Sequence, residues 1–287
     1  MSIQWFGRET IDRAIVDYIK KVEVVLDIGC GIRPQQFITP RLYICCEPHD
    51  EYLQVLKDHF VGTNTVLIRG SAQEVLIWMP DDSVDTIFMI DFIEHMEKNE
   101  GIRVIAECER VARQQIVIFT PLGFVPQYYK PGEVDAWSLH GTQWQVHKSG
   151  WTPDDFGDSW DILAARDYHI YNEKGVKFDT PKGAFWAIRN LKISPKAEAI
   201  IVSNTKQIEN GSGKSASQVL IGLLSDIDRH IRDLIDPKRT EMAQHICQRE
   251  SELRVRETLL DQREARYNSL LLVRFVRQLR RMFRRSG

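Results

Sequence analysis

What this sequence lacks narrows its reading first. Its five cysteines, Cys30, Cys45, Cys46, Cys108 and Cys247, include no C-x-x-C pair. A zinc site or redox dithiol built on that spacing is therefore not expected, and the thiols read as reduced and mostly buried in a cytoplasmic protein. No apolar run approaches the roughly 20 residues that span a bilayer. The opening 23 residues are broken by Arg8, Glu9, Asp12 and Arg13, unlike a secretory signal. A large net charge is also absent, for 38 Lys and Arg nearly cancel 40 Asp and Glu, leaving −2. That near-balance hides a split. Residues 211–287 hold 16 Lys and Arg against 10 Asp and Glu, whereas residues 1–210 hold 22 against 30. An anionic partner is thus expected for the tail alone.

What is present is a chain long enough for one large domain and an appendage. It is organised around Val24-Val25-Leu26-Asp27-Ile28-Gly29-Cys30-Gly31. An apolar run reaches an acid and then a turn with two glycines. That is the pattern of a buried strand stopping at a sharp loop, where the missing Cβ atoms let backbone approach a ligand. Around it, apolar spacing predicts a helix over 9–22, strands at 22–28, 42–47, 65–69, 83–90 and 115–120, and helices at 50–58 and 100–111. Strands alternating with helices imply βαβ units and a mostly parallel sheet with covered faces. Later strand candidates lie at 160–163, 184–188 and 197–203.

The pattern breaks between about 121 and 160. This insert holds four of the seven tryptophans, together with Tyr128, Tyr129, His140 and His147. Residues 209–217, with Gly211-Ser212-Gly213-Lys214-Ser215, have the composition of a flexible linker. They resemble the end of a P-loop, but the upstream glycine and strand are missing. Beyond lies a helical extension, 218–287. Leu220, Ile227 and Leu234 recur every seven residues, as do Ile246, Leu253, Leu260 and Tyr267. The second seam of the later run holds Arg249, Arg256 and Arg263, so it reads as a weak coiled coil or as an amphipathic helix packed elsewhere. At 271–285, Leu272, Phe275, Val276, Leu279, Met282 and Phe283 share one face while six arginines fall largely off it. That pattern suits a helix lying on an anionic membrane surface. Nucleic acid explains the arginines but not the apolar face, and self-association through the extension is the third alternative.

For the glycine turn, a dinucleotide site would want a third glycine near position 34, where Pro34 stands. Glu47 follows Asp27 by one strand, a spacing that suits a carboxylate accepting ribose hydroxyls. At this point Asp27-Ile28-Gly29-Cys30-Gly31 resembles motif I of class I S-adenosylmethionine-dependent methyltransferases. Glu47, with Pro48, matches their ribose-binding acid. Gly70-Ser71-Ala72-Gln73-Glu74 stands where they often carry Gly-Asp-Ala-Glu, with Ser71 in place of the acid beside adenine. Asp82-Ser83-Val84-Asp85 and Asp91-Phe92-Ile93-Glu94-His95 resemble their fourth-strand signature, and Thr120-Pro121 also fits. The resemblance covers about 20–125. It implies a Rossmann-like, mostly parallel seven-stranded α/β sheet and S-adenosylmethionine as cofactor. Asp27, Gly29, Cys30, Gly31, Glu47, Pro48, Ser71, Ala72 and Asp91 would hold the donor. Asp91 and His95 would face the reaction, with His95 as base. A sulfonium cation is favoured by nearby acids, and methyl transfer needs mainly an in-line, near-attack geometry.

Asp91, Glu94 and His95 also resemble the metal site of ubiquinone-biosynthesis O-methyltransferases. Two carboxylates and an imidazole suit Mg²⁺ only loosely, and no metal is expected. Trp144-Gln145-Val146-His147-Lys148-Ser149-Gly150-Trp151-Thr152-Pro153-Asp154-Asp155-Phe156 is similar to a segment of methyltransferases from bacterial surface-polysaccharide pathways. There Thr152 would cap a helix, with Asp155 three residues on. Tyr128, Trp144, His147 and Trp151 are the candidate acceptor contacts. The methyltransferase domain is drawn at 1–208. The expected activity is O-methylation of a glycan or lipid-linked saccharide at the inner membrane face. Alternatives are a quinone-like or lipid small-molecule acceptor, and a degenerate domain serving as a membrane or partner scaffold.

Overall fold

β2 (Val24–Ile28) is buried at every position, as an apolar run in the middle of a covered sheet must be. It pairs in parallel with β3 (Leu42–Glu47) on one side and β5 (Val84–Ile90) on the other. The computed structural model describes residues 3–60, 62, 64–193, 195, 198 and 215–235. It extends these three strands to an eight-stranded sheet. Outside β3 lies β4 (Thr65–Arg69). Outside β5 come, in spatial order, β6 (Ala112–Pro121), β8 (Lys177–Asn190), β7 (Asp161–Tyr171) and β1 (Ile3–Trp5). Only β8 runs against its neighbours in this sheet.

The expected Rossmann-like sheet is thus present, with one strand more than seven. Ile3–Trp5 pairs with Ile162–Ala164 at the edge, and three residues are too few to show a period of two in a sequence. The candidates at 160–163 and 184–188 fall on β7 and β8, while 197–203 lies outside the described residues except Glu198. Side chains alternate across the sheet and divide the core. Val24, Leu26, Ile28, Ile116, Ile118, Phe185 and Ala187 face α3 (Ala72–Trp78) and α4 (Lys98–Val111). Val25, Phe88, Val117, Phe119, Trp186 and Ile188 face Ile11 and Ile15. The helix expected over 9–22 ends early: α1 spans Arg8–Ala14 and one 3₁₀ turn spans Ile15–Asp17. Tyr18, Ile19 and Val22 still pack on the same cluster, but after the helix has ended. Between β3 and β4 runs α2 (Asp50–His59). Cys30, Cys45, Cys46 and Cys108 are free and buried.

The first compact unit runs Met1–His230 and the second Ile231–Gly287. Within the first, a four-residue helix, α5 (Thr142–Gln145), interrupts the insert. A longer one, α6, begins at Ala216 and runs to Ile235. Its Leu223 is buried, and Val219, Leu220 and Ile227 pack on the same core face as α3 and α4. The first heptad run therefore packs on the domain's own core over this stretch. Residues 209–214, the second heptad run and the basic end 271–285 lie outside the described residues.

Candidate active site

The chain leaves β2 toward β3 and β4, then returns to the other side of β2 for β5 and β6. At such a reversal the loops after the two central strands part, opening a crevice at their carboxyl ends. The loop Gly29-Cys30-Gly31 and the turn after β5 both sit there. Gly29 (φ +64°) and Gly31 (φ +55°) occupy the left-handed region, where a side chain is strained. Close approach adds a second reason for glycine. A Cβ on Gly29 would strike the Phe92 ring, and one on Gly31 would come within 2.6 Å of Trp137.

Two cavities open at this crevice. The smaller, about 190 Å³, is lined by Gly29, Gly31, Glu47, Pro48, Ser71 and Ala72, with Gln73, Tyr52 and Phe92 beside them. The expected donor-binding residues Gly29, Gly31, Glu47, Pro48, Ser71, Ala72 and Asp91 are thus brought to one wall. Glu47 is buried and receives the Gly31 N–H at 3.0 Å and the His49 N–H at 2.9 Å. Burial pushes its carboxyl up to about 7, against those two donors and with a smaller push from Asp27. Ser71 caps α3: Glu74 accepts from the Ser71 N–H and Oγ, each at 2.8 Å, and the Glu74 N–H donates to Ser71 Oγ at 3.3 Å. Its hydroxyl is therefore engaged locally, and Gln73, which sequence reasoning missed, offers a free amide to the same cavity.

Asp27 does not line either cavity. Its carboxylate accepts from Tyr43 Oη at 2.5 Å and from the Gln35 N–H at 2.8 Å. It holds the loop after β2 in shape from beneath, so its expected place in direct contact with the donor is corrected to a supporting one. Burial raises its carboxyl to about 6.

The larger cavity, about 410 Å³, is lined by Cys30, Asp91, Glu94, His95, Gln127, Trp137, Gln145 and His147, and by His169, Tyr171 and Phe178 from β7 and β8. Gly29, Asp91, His95 and Gln145 border both cavities. Asp91 follows β5 with φ +47°, a strained conformation for an aspartate and one that tends to mark functional sites. It is exposed where the two cavities meet. The surrounding protein pushes its carboxyl up to about 7, with a further push from Asp12. Burial instead drives His95 down to about 3, helped by His147 and Lys148. An imidazole that weakly basic is a poor general base. On that ground Asp91 is the better matched of the two as a base.

The acceptor-side candidates divide. His147 lines the larger cavity. Trp144 lines the smaller one, on the donor side. Tyr128 is 58% exposed and lines neither. Trp151 is a core residue, 1% exposed, whose indole N–H donates to Ser149 Oγ at 2.9 Å and to the Ile93 carbonyl at 3.2 Å. It ties the insert to the turn after β5. The run from Thr152 makes only a 3₁₀ turn, Pro153–Asp155, with Asp155 accepting the Thr152 N–H at 2.7 Å and Lys98 at 2.6 Å. His169, Tyr171 and Phe178 carried no motif; only the antiparallel β7–β8 pairing brings them over the site.

A glycine turn after the central strand, a ribose-type carboxylate after its neighbour and a parallel sheet with one reversed strand define a class I methyltransferase fold. Residues 26–119 match the type 11 family model described as a methyltransferase domain. This segment is a methyltransferase domain of that class, and S-adenosylmethionine is its methyl donor. Among solved structures, a SAM dependent methyltransferase from Archaeoglobus fulgidus is similar at 15% identity, covering 64% of this chain and 94% of that one, with a TM-score of 0.40. The YcgJ protein of Bacillus subtilis is similar at 14%, covering 65% and 99%, with a TM-score of 0.41. The DhpI complex with SAH is similar at 10%, covering 64% and 83%, with a TM-score of 0.43. No curated protein matches the sequence.

Proposed function

We propose that the protein methylates a hydroxyl of a glycan or lipid-linked saccharide. The observation that carries this reading is the pair of cavities meeting at Gly29, Asp91, His95 and Gln145. The smaller takes the donor, with Glu47 accepting the ribose hydroxyls and Ser71, Ala72 and Gln73 bordering adenine. The larger takes the acceptor. Its wall mixes aromatic faces (Trp137, Tyr171, Phe178) with hydrogen-bonding groups (Gln127, Gln145, His169), the combination that sugar rings favour.

In the transfer, the acceptor oxygen attacks the methyl carbon in line with the carbon–sulfur bond. The bond's electron pair passes to sulfur, and the sulfonium becomes a neutral thioether. The hydroxyl proton goes to Asp91, which borders both cavities. Most of the work lies in holding oxygen and methyl in near-attack geometry. The tail's arginines and apolar face (residues 271–285) support docking on an anionic membrane, where lipid-linked acceptors are found. No helix among the described residues is long and apolar enough to cross a membrane.

The test is transfer of labelled methyl from S-adenosylmethionine to extracted lipid-linked saccharides. Asp91→Asn is expected to lower turnover roughly 10²–10⁴-fold, the range for losing a general base, while product binding persists. Labelling of quinones or phospholipids instead would overturn the acceptor class. Donor binding with no labelling of any acceptor would favour a scaffold.

A further inference from the structure

We propose that Glu94, His95 and His147 form a binding site for one divalent ion of the Zn²⁺ type in the wall of the acceptor cavity. One ligand atom from each of the three lies within 4.8 Å of the others. Glu94 and His95 stand in the 3₁₀ turn Ile93–His95 after β5. His147 comes from the aromatic insert. The insert is strapped to that turn: the Lys148 and Ser149 N–H groups both donate to the Glu94 carbonyl, at 2.8 and 3.1 Å. Trp151 and Ser149 Oγ add donors to the Ile93 carbonyl.

Hydrogen bonding prepares each of the three for a cation. His147 Nδ1 lies 2.6 Å from the Val125 carbonyl, and His95 Nδ1 lies 3.2 Å from the Val146 carbonyl. A carbonyl only accepts, so each Nδ1 carries the ring's hydrogen and the other ring nitrogen keeps its lone pair. A metal-ligating histidine is oriented in just this way by a backbone carbonyl. Glu94 Oε2 accepts from the Thr120 hydroxyl at 3.0 Å, while its Oε1 is buried with no hydrogen-bond partner among the described residues. Acceptor atoms of the three residues thus stand within 4.8 Å of one another. A buried acceptor left so is costly, and a cation satisfies all three at once.

The donor set selects the ion. Two imidazoles and a carboxylate suit Zn²⁺ and its first-row neighbours, whereas Mg²⁺ prefers oxygen throughout. Sequence reasoning set metal aside because it saw Asp91, Glu94 and His95. The fold leaves Asp91 out of the cluster and supplies a second imidazole from the insert. All three ligands line the larger cavity, so a further coordination position faces the acceptor. An ion there would bind the attacking hydroxyl oxygen as a Lewis acid and ease loss of its proton. That role rests on the proposed O-methylation, but the site itself does not.

The test is metal uptake by the full chain, stripped with chelator and titrated with Co²⁺ and then Zn²⁺. One equivalent of Co²⁺ is expected, with visible d–d bands that Zn²⁺ displaces. Glu94→Gln and His147→Ala should each weaken uptake by about tenfold or more, whereas exposed His59→Ala should not. Circular dichroism and binding of the methyl-transfer product on the same samples separate ligand loss from unfolding; Glu94→Gln keeps the side chain's shape and its contact with Thr120. A proton on Glu94 is the competing way to satisfy Oε1. No stoichiometric uptake by the wild type, or uptake unchanged in folded Glu94→Gln and His147→Ala, would overturn the proposal.

Discussion

The backbone N–H of Gly31 donates to Glu47 Oε2 at 3.0 Å. The glycine turn after β2 and the acid that ends β3 are thus one unit. The acid shapes the turn from the side that a ribose would occupy, and the turn holds the acid in place.

Replacing Glu47 should therefore damage donor binding twice over. Glu47→Ala is expected to weaken S-adenosylmethionine and its product by roughly 10–100-fold, the range for losing hydrogen bonds to a charged acceptor. Isothermal calorimetry measures it directly. Affinity within a factor of two of wild type would remove Glu47 from the ribose site.

The same residue sets a pH dependence. Its carboxyl is raised to about 7, mainly by burial. Below that pH the empty site holds a protonated Glu47, and a carboxylic acid accepts hydrogen bonds from a ribose poorly. Donor binding favours the ionised form. Affinity should hence rise with pH through about 7 and level off above it, changing by up to about tenfold per unit on the acid side. Glu47→Gln should bind weakly with that slope gone.

Gly31→Ala combines a left-handed backbone with a clash against Trp137. A loss of about 1–3 kcal/mol is expected from the strain alone, read by urea unfolding. Donor affinity should fall with it, because the turn lines the donor cavity. An unchanged unfolding midpoint would show that the turn can relax.

Trp151 and Tyr128 separate core from surface within one aromatic insert. Trp151→Ala should cost about 3–5 kcal/mol, as removal of a buried Trp does, and should loosen the strap that carries His147. Tyr128→Ala should stay within about 0.5 kcal/mol and leave methyl transfer intact. Denaturant unfolding alongside activity distinguishes them.

Deleting residues 269–287 should release the protein from anionic vesicles in a flotation assay, with less effect on neutral ones. Flotation that survives the deletion would remove the membrane role from the basic end.

Much of the fold was legible because its signals are local. Val24–Ile28 and Leu42–Glu47 are short apolar runs ended by turns or acids, and both became neighbouring parallel strands where expected. The donor side was legible for the same reason, since Gly29, Gly31 and Glu47 sit within a few residues of strand ends. Ser71, expected beside adenine, also caps α3 with Glu74, a role the sequence reading did not assign.

The acceptor side was hidden because its residues are distant in sequence and meet only across the sheet. By composition alone, Trp151 and Tyr128 looked alike; packing buried one against Ile93 and left the other in solvent. His95 carried the look of a base, yet burial beside His147 pushes its pKa down, an effect with no trace in one dimension. The parallel sheet and the glycine turn after β2 could be read from the chain alone, because strand period and glycine chemistry act over a few residues. Which aromatics are core, and the approach of Glu94, His95 and His147, emerged only from folding. Those outcomes depend on burial and on contacts between segments many residues apart.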